Sequence, residues 1–416
     1  MNQKLNILYL SNLYPPHIVG GAETIAAHLA EEMAIRGHTV TVLSTQGPCA
    51  GKDPTVETRC GVTVIRFFPQ NLYWLFDRGQ PPAWQRTLWH LRDAWNPSTR
   101  RQLEQLFGHT RPDIVHTHNI DGFSPIVWHV ARRHGLPVVH TAHDYHLLCP
   151  RATLLRRNGK TCAQACGSCR LYRVWYRHRS RDVDVFVSPS RFLLDCHQAQ
   201  GLRAQDYRVI PYGIPVPVVT NNIGPRNQNT GPVQFLYLGQ LSPHKGVGHL
   251  LAAFHSLPAD LPVLLHVAGR GPLEPEVRRA AATDNRVRFH GFVEARAKAE
   301  LLAQSDVLVM PSIWFENYPL AVLEAYQAGV TVLASDIGGL PEMVEVHATG
   351  QLLPPGNTEA LVARIVALAR DPTLVRRLQH AARDRARRYT VQTMADEYQA
   401  LYVGLLRPGC HRSRER

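Results

Sequence analysis

The chain has 416 residues, 44% hydrophobic and 19% charged, and a formal net charge of +13. That length exceeds one ordinary hydrophobic core and implies two domains, three at most. The composition is that of a soluble globular protein, and with no run of eighteen apolar residues no membrane-spanning helix is expected.

At the N-terminus "LNILYLS" is a short apolar run closed by Ser11 and Asn12. It reads as a first strand and is too short for the apolar region of a signal peptide, which predicts a cytoplasmic protein. The Gly-rich turn "PPHIVGGAET" leads into a helical stretch, "GAETIAAHLAEEMAIRG". Further β-rich runs follow: "HTVTVLST", "VTVIRFF", "DIVHTHN", "PVVHTAH", "DVFVSPS" and "YRVIPYG". Strands alternating with helices predict a parallel sheet covered on both faces.

Two of these runs end in histidines: His116 and His118 in the first, His143, Asp144 and His146 in and just after the second. Their spacing matches no standard zinc ligand set. Cys149, Cys162, Cys166 and Cys169 then fall within twenty-one residues. Clustered thiols in a cytoplasmic chain point to metal more than to disulfides. A structural zinc held by these four and a set of free thiols stand as equal alternatives, because only Cys166 and Cys169 have the tight C-x-x-C spacing.

Charge is uneven. Residues 1–210 carry 25 Lys and Arg against 15 Asp and Glu, and residues 151–191 alone carry 10 against 2. In "RLYRVWYRHRSR" the arginines mix with Tyr172, Trp175 and Tyr176, and "NLYWLFDRGQPPAWQRTLWHLRDAW" holds four of the seven tryptophans. Such a mixture suits a membrane interface with anionic lipid, or stacking on nucleic acid. No nucleic-acid-binding motif is present, so the inner membrane surface is the expected partner and nucleic acid is not.

A segment rich in Pro, Asn and Gly, "GIPVPVVTNNIGPRNQNTGP", marks a linker. The α/β pattern then restarts with "VQFLYLG", "PVLLHVAG", "VRFHGF", "DVLVMPS", "VTVLASD" and "GQLLPP", and the last stretch reads as two helices broken near Tyr389 and Thr390. The expected division is residues 1–210 with a Cys/Arg-rich insert at 149–181, a linker at 211–232, a second domain at 233–388, and a C-terminal helix and basic tail at 389–416, the helix packing back on the first domain. The fold class is α/β: two tandem Rossmann-like, doubly wound domains facing a cleft, with ligands outside the carboxyl ends of the strands.

In "FLYLGQLSPHKGVGHLLAAF" a strand, a Gly turn and a helix place Lys245 at the helix start, a phosphate-type device. The spacing is not that of a Walker A loop. "VLLHVAGRGPLEPEV" repeats the device with Arg270. In "SIWFENYPLAVLEA" Pro319 suits the first helical turn, so Glu316 stands just before a helix and Glu324 inside it. Helical spacing sets Glu324 beside Leu320 and Gln327 rather than beside a cation, so a ligand diol is its expected partner.

This ordered series ("PPHIVGGAET", "DIVHTHN", "GQLSPHKG", "AGRGP", "VRFHGFV", the E-x7-E element and "SDIGGLPEMV") resembles the retaining glycosyltransferases of family 4, which have the GT-B fold. The resemblance runs over nearly the whole chain. It implies transfer of a sugar from a nucleotide-sugar to an acceptor hydroxyl with retained configuration and no metal required, the departing phosphate helping to deprotonate the acceptor. Carried over by position, Lys245 and the main chain around Asn317, Tyr318, Pro319 and Leu320 would hold the diphosphate. Glu316 would contact the transferred sugar, Glu324 the ribose diol, and Gly20 and Gly21 would close over the donor. His118 would face the sugar or the incoming hydroxyl, with His143 and Asp144 on the acceptor side, so substrate contact ranks above metal for the histidines. Glu316 as nucleophile stays open.

One departure is Gln240, where the family usually has Arg. Arg270, at a position more often small or acidic, is expected to supply the missing charge. The expected activity is glycosyl transfer to a saccharide or lipid-linked acceptor in cell-surface polysaccharide or lipopolysaccharide synthesis, on the cytoplasmic membrane face. The alternatives are a GT-B-fold sugar-nucleotide epimerase and a non-catalytic protein binding sugar-nucleotide or nucleic acid. A dehydrogenase is not expected, because "NLYPPHIVGGAE" after the first strand lacks the G-x-G-x-x-G spacing.

Overall fold

A computed structural model describes residues 3–48, 54–77, 79, 81–156, 159, 161, 162, 165–216 and 231–407. Most of the expected linker and the basic tail beyond Arg407 lie outside the described residues. The chain forms two compact units: Met1–Leu154, Cys162–Gly213 and Val391–Arg416 in unit 1, Leu155–Thr161 and Ile214–Thr390 in unit 2.

Unit 1 holds an eight-stranded sheet. Its strands are β1 (Asn6–Leu10), β2 (Thr39–Thr45), β3 (Thr55–Arg59), β4 (Val62–Phe67), β5 (Ile114–Thr117), β6 (Val138–Thr141), β7 (Val185–Ser188) and β8 (Asp206–Val209). Their order is β3-β4-β2-β1-β5-β6-β7-β8. Every pair is parallel except β3–β4. Helices α1 (Gly21–Ile35), α2 (Ala83–Ala94), α3 (Pro97–Thr110), α4 (Ile126–Arg133), α5 (Gly167–Arg179) and α6 (Arg191–Ala199) connect them. The central strands are buried on both faces and therefore carry short apolar runs, which in β5 end in the buried His116 and Thr117. Strand β3, "TVETR", is missing from the sequence reading because all five of its residues are exposed, which leaves no apolar signature.

Unit 2 alternates β9 (Val233–Leu238), α7 (Val247–His255), β10 (Val263–Ala268), α8 (Glu274–Thr283), β11 (Val287–Gly291), α9 (Ala295–Gln304), β12 (Val307–Met310), α10 (Leu320–Ala328), β13 (Thr331–Ser335), α11 (Leu340–Met343), β14 (Gly350–Leu353), α12 (Thr358–Arg370) and α13 (Pro372–Ala386). Its sheet order is β11-β10-β9-β12-β13-β14, and all pairs are parallel. Phe235, Leu250, Phe254, Leu265, Val309, Ile365 and Leu378 pack the core between sheet and helices. The last helix, α14 (Val391–Leu406), belongs to unit 1, where it packs on α1 and sends Tyr402 to Tyr9, hydroxyl to hydroxyl at 3.0 Å.

One sequence device recurs in both sheets. An Asp just before an apolar strand accepts a main-chain N–H near the start of the neighbouring strand: Asp113 from Asn6 at 2.7 Å, Asp184 from Val138 at 2.8 Å and Asp306 from Gln234 at 2.8 Å. Each would otherwise be an unpaired donor at a sheet end.

Strand order sets where ligands can bind. In unit 1 the order reverses between β1 and β5, in unit 2 between β9 and β12. A crevice opens at the carboxyl ends of such strand pairs. The segments that leave them are Ser11–Gly20 and His118 in unit 1, and Gly239–Gly246 and Pro311–Pro319 in unit 2.

Candidate active site

In unit 2 the segment after β9 turns through Pro243–Lys245 to Gly246, which precedes α7. Gly246 has φ of +74°, and a Cβ there would stand 1.8 Å from the carbonyl oxygen of Pro311. Only glycine lets the two segments meet this closely. The Ile313 N–H donates to the His244 carbonyl at 2.9 Å. Across this junction Lys245 Nζ meets both carboxylate oxygens of Glu316, at 2.8 and 2.9 Å, and lies 4.8 Å from the centre of the Trp314 ring. Ser312 Oγ donates to the same carboxylate at 2.6 Å. Glu316 is 4% exposed. Burial would raise its pKa, but the Lys245 charge and the hydrogen bonds from Lys245, Ser312 and Trp314 outweigh it and hold the carboxyl below its ordinary range. The structure thus brings Lys245 and Glu316 together as one charged pair.

Behind the pair lies "SDIGGLPEMV". Gly338, at φ of +67°, would place a Cβ 2.4 Å from the Glu316 carbonyl oxygen, and the Gly339 N–H donates to that oxygen at 2.6 Å. The helix expected to begin at Pro319 starts one residue later, with Pro319 as its N-cap and no side-chain cap. The peptide groups at Asn317, Pro319 and Leu320 therefore border the start of α10. The Tyr318 ring is buried and faces Tyr389 edge-on at 6.4 Å, which leaves its main chain to serve a ligand.

Glu324 differs from expectation. It has a cation, Lys298 of α9, whose Nζ lies 2.5 Å from Oε1. The helical neighbours of Glu324 could not reveal this partner, which sits 26 residues away on the preceding helix. Gln240 is exposed, and its carbonyl accepts from the Tyr237 hydroxyl at 2.7 Å. Arg270 is exposed too, its guanidinium 4.6 Å from the centre of the Phe292 ring. The two turns are joined by the Leu241 N–H, which donates to the Arg270 carbonyl at 2.9 Å.

In unit 1 Gly20 caps α1, its N–H donating to Glu23 at 2.8 Å, and Gly21 opens the helix. His118 follows β5 and is 1% exposed. Its Nδ1 lies 2.8 Å from His143 Nε2, and His143 Nδ1 lies 2.5 Å from the Tyr212 hydroxyl. Burial drives His118 well below its ordinary pKa and takes His143 down to about 3, so both imidazoles are neutral near pH 7. Among the described residues His118 Nε2 has no hydrogen-bond partner. His116 points elsewhere: it bonds Tyr402 at 2.6 Å and Thr141 at 2.7 Å inside the core, which removes it from substrate contact.

A small pocket at these strand ends is lined by His118, His143, Asp144 and His146. His146 is an imidazolium: burial would lower its pKa, but Asp121, 2.6 Å from Nδ1, reverses this and raises it to about 9. Asp144 is raised to about 6, first by burial and then by the Asp121 charge. Asp121 escaped the sequence reading, having no motif around it.

Of the two alternatives for the clustered cysteines, the described residues favour free thiols over a zinc tetrad. Among the described residues no group of three or more potential ligands comes together. Cys149 is buried, Cys162 and Cys169 are half-buried and Cys166 is exposed, all as free thiols.

Family models match both units: "Glycosyl transferase 4-like domain" over residues 20–213 and "Glycosyl transferases group 1" over residues 218–385. The chain is a group 1 glycosyltransferase of the retaining family 4 type. It is 27% identical over 345 residues to an uncharacterized 42.6 kDa protein in the cps region of Klebsiella pneumoniae, covering 82% of this chain and 88% of that one. It is 28% identical to the glycogen synthase of Mycobacterium tuberculosis, covering 97% and 95%. Among solved structures, Anabaena Alr3699/HepE in complex with UDP superimposes with a TM-score of 0.68 at 19% identity, covering 96% of this glycosyltransferase and all of that chain. These likenesses establish enzyme class and fold and leave the acceptor undetermined.

Proposed function

We propose that this glycosyltransferase moves a sugar from a nucleotide-sugar to a hydroxyl of a lipid-linked or saccharide acceptor, in the synthesis of a cell-surface polysaccharide or lipopolysaccharide. The observation that carries the reading is the Lys245–Glu316 pair at the switch point of unit 2. Breaking the anomeric C–O bond leaves negative charge on the diphosphate. Lys245, the start of α10 and Arg270 stabilise that charge, Arg270 compensating for Gln240. Glu316 accepts hydrogen bonds from the transferred sugar, and Glu324, oriented by Lys298, accepts the ribose diol. Gly20 and Gly21 approach the donor. His118 presents its neutral ring to the sugar or the incoming hydroxyl, with His143 and Asp144 on the acceptor side. The chemistry needs no metal cofactor.

A membrane-borne acceptor is supported by the surface of unit 1. Trp84, Leu88, Leu91 and Trp95 form an exposed stripe along and just beyond α2, with Trp84 and Leu91 each 61% exposed. A groove of about 400 Å³ opens beside it between Tyr73, Pro81 and Trp84. Trp95 meets Trp175 of α5 edge-on at 5.6 Å, with Arg179 over both rings. Exposed Leu171 and Val174 extend the apolar area among the α5 arginines. Aromatic and aliphatic groups rimmed by arginine suit the cytoplasmic face of an anionic bilayer. Among the described residues no helix is long and apolar enough to cross a membrane.

The test is release of nucleoside diphosphate from UDP-, GDP-, ADP- and dTDP-sugars, with lipid-linked saccharide or soluble glucan as acceptor. Turnover with one nucleotide class and the lipid-linked acceptor, abolished in Glu316→Gln, is the expected result. Turnover with soluble glucan alone would remove the membrane reading, and donor isomerisation without transfer would remove the transferase reading of the site.

A further inference from the structure

Helix α5 begins at Gly167 with Cys166 as its N-cap in extended conformation, φ −69° and ψ 168°. Cys169 is the third residue of the helix, so the two thiols face each other across its first turn. Side chains three apart on a helix stand about 5–6 Å apart at Cβ, and a disulfide needs about 3.5–4.5 Å. The N-cap residue lies outside the helical ladder and can close that difference by turning its own φ and ψ. Cys166 Sγ lies 3.2 Å from Ser168 Oγ, and both the N–H and the thiol of Cys169 are within hydrogen-bonding reach of it. Cys166 is exposed and Cys169 half-buried, an attacking thiol outside and a resolving thiol beneath it. The first turn of α5 contains no acidic residue, and its last turn carries Arg177, His178 and Arg179. N–H groups at a helix start stabilise a thiolate there.

We propose that Cys166 and Cys169 are a redox-reactive dithiol that closes an intramolecular disulfide across the first turn of α5, with a small disulfide such as oxidised glutathione as oxidant. The Cys166 thiolate attacks one glutathione sulfur, forming a mixed disulfide and expelling glutathione thiolate. The Cys169 thiol then loses its proton to solvent and attacks the Cys166 sulfur, expelling the second glutathione. Two protein thiols are oxidised and one glutathione disulfide is reduced. The pair stands one turn from the acceptor-side pocket: on the same helix the Tyr172 hydroxyl donates to the His146 carbonyl at 3.0 Å and Arg173 to the Leu148 carbonyl at 2.6 Å.

The experiment treats the reduced full-length protein with oxidised glutathione, blocks the remaining thiols with N-ethylmaleimide and maps the products by tandem mass spectrometry. The zinc content of the untreated protein is measured in parallel. A Cys166–Cys169 linkage is expected in the wild type. Cys166→Ser should form none, and Cys169→Ser should stop at the glutathione adduct on Cys166, both with unchanged circular dichroism. Iodoacetamide should label Cys166 severalfold faster than Cys60, an exposed thiol elsewhere in unit 1 that serves as internal reference. Stoichiometric zinc that protects all four clustered cysteines would overturn the proposal. So would a linkage to Cys149 or Cys162 in place of Cys169, or a Cys166 that stays reduced and labels no faster than Cys60.

Discussion

Replacing Lys245 by Met keeps the length of the side chain and removes its charge. Glu316, 4% exposed, then keeps the hydrogen bond from Ser312 but loses its counter-charge. Removing one partner of a buried ion pair costs about 3–5 kcal/mol, and because the Lys245 side chain is itself 20% exposed the lower end applies, about 3 kcal/mol. For a unit of this size that is a fall in Tm of about 6–12 °C. Glu316→Gln should cost less, since a buried neutral amide needs only hydrogen bonds. The double variant should recover most of the loss, because nothing charged is then left buried. The pH dependence has a definite sign. The folded-state pKa of Glu316 is lowered, so its stabilisation is complete above the ordinary 4.5 and is lost as pH falls through the lowered value. In Lys245→Met burial is opposed only by the hydrogen bonds from Ser312 and Trp314, so the carboxyl pKa rises relative to the wild type and the stability lost on acidification should be smaller. The assay is calorimetric unfolding of the two single variants and the double variant, alongside donor turnover. Single variants that each lose under about 1 kcal/mol, or a double variant that loses the sum of both, would falsify the pairing argument. A double variant of restored stability that still fails to turn over donor would separate the structural role of the pair from its catalytic one.

Glu324→Ala is expected to abolish thermal stabilisation by the matching nucleotide-sugar, whereas Lys298→Ala, in a pair 34% and 24% exposed, should cost under about 1 kcal/mol and weaken donor only partly. The raised His146 pKa, about 9 against 6.5, makes its contribution complete below pH 6.5 and lost as pH rises through about 9. Urea midpoints should therefore fall over that window by the equivalent of at most about 3 kcal/mol, and Asp121→Asn should flatten the fall. Gly338→Ala forces a Cβ against the Glu316 main chain at positive φ, and calorimetry should register a loss of at least about 2 kcal/mol together with lost transfer. Trp84→Ser combined with Leu91→Ser should reduce co-sedimentation with phosphatidylglycerol vesicles about tenfold while turnover of a soluble acceptor analogue stays unchanged; equal sedimentation would remove the α2 stripe as the docking surface.

The order of most strands and helices was legible along the chain, because strands buried on both faces carry short apolar runs, even where β5 and β6 end in buried His and Thr, and helices fill the intervals. Lys245 and Glu316 could each be singled out from their place just before a helix, but that they meet as a pair across 71 residues could not. The sequence could not show β3, which buries nothing, nor the start of α10 to the residue. Partnerships across elements were decided only by tertiary structure. Lys298 reaches Glu324 from the preceding helix, Asp121 makes His146 a cation, and Tyr402 takes His116 out of the site from the far end of the chain. Each of these depends on which helix lies beside which strand. The spacing of residues along one element fixes what shares a face, but what faces it across the sheet is set by how the chain crosses over.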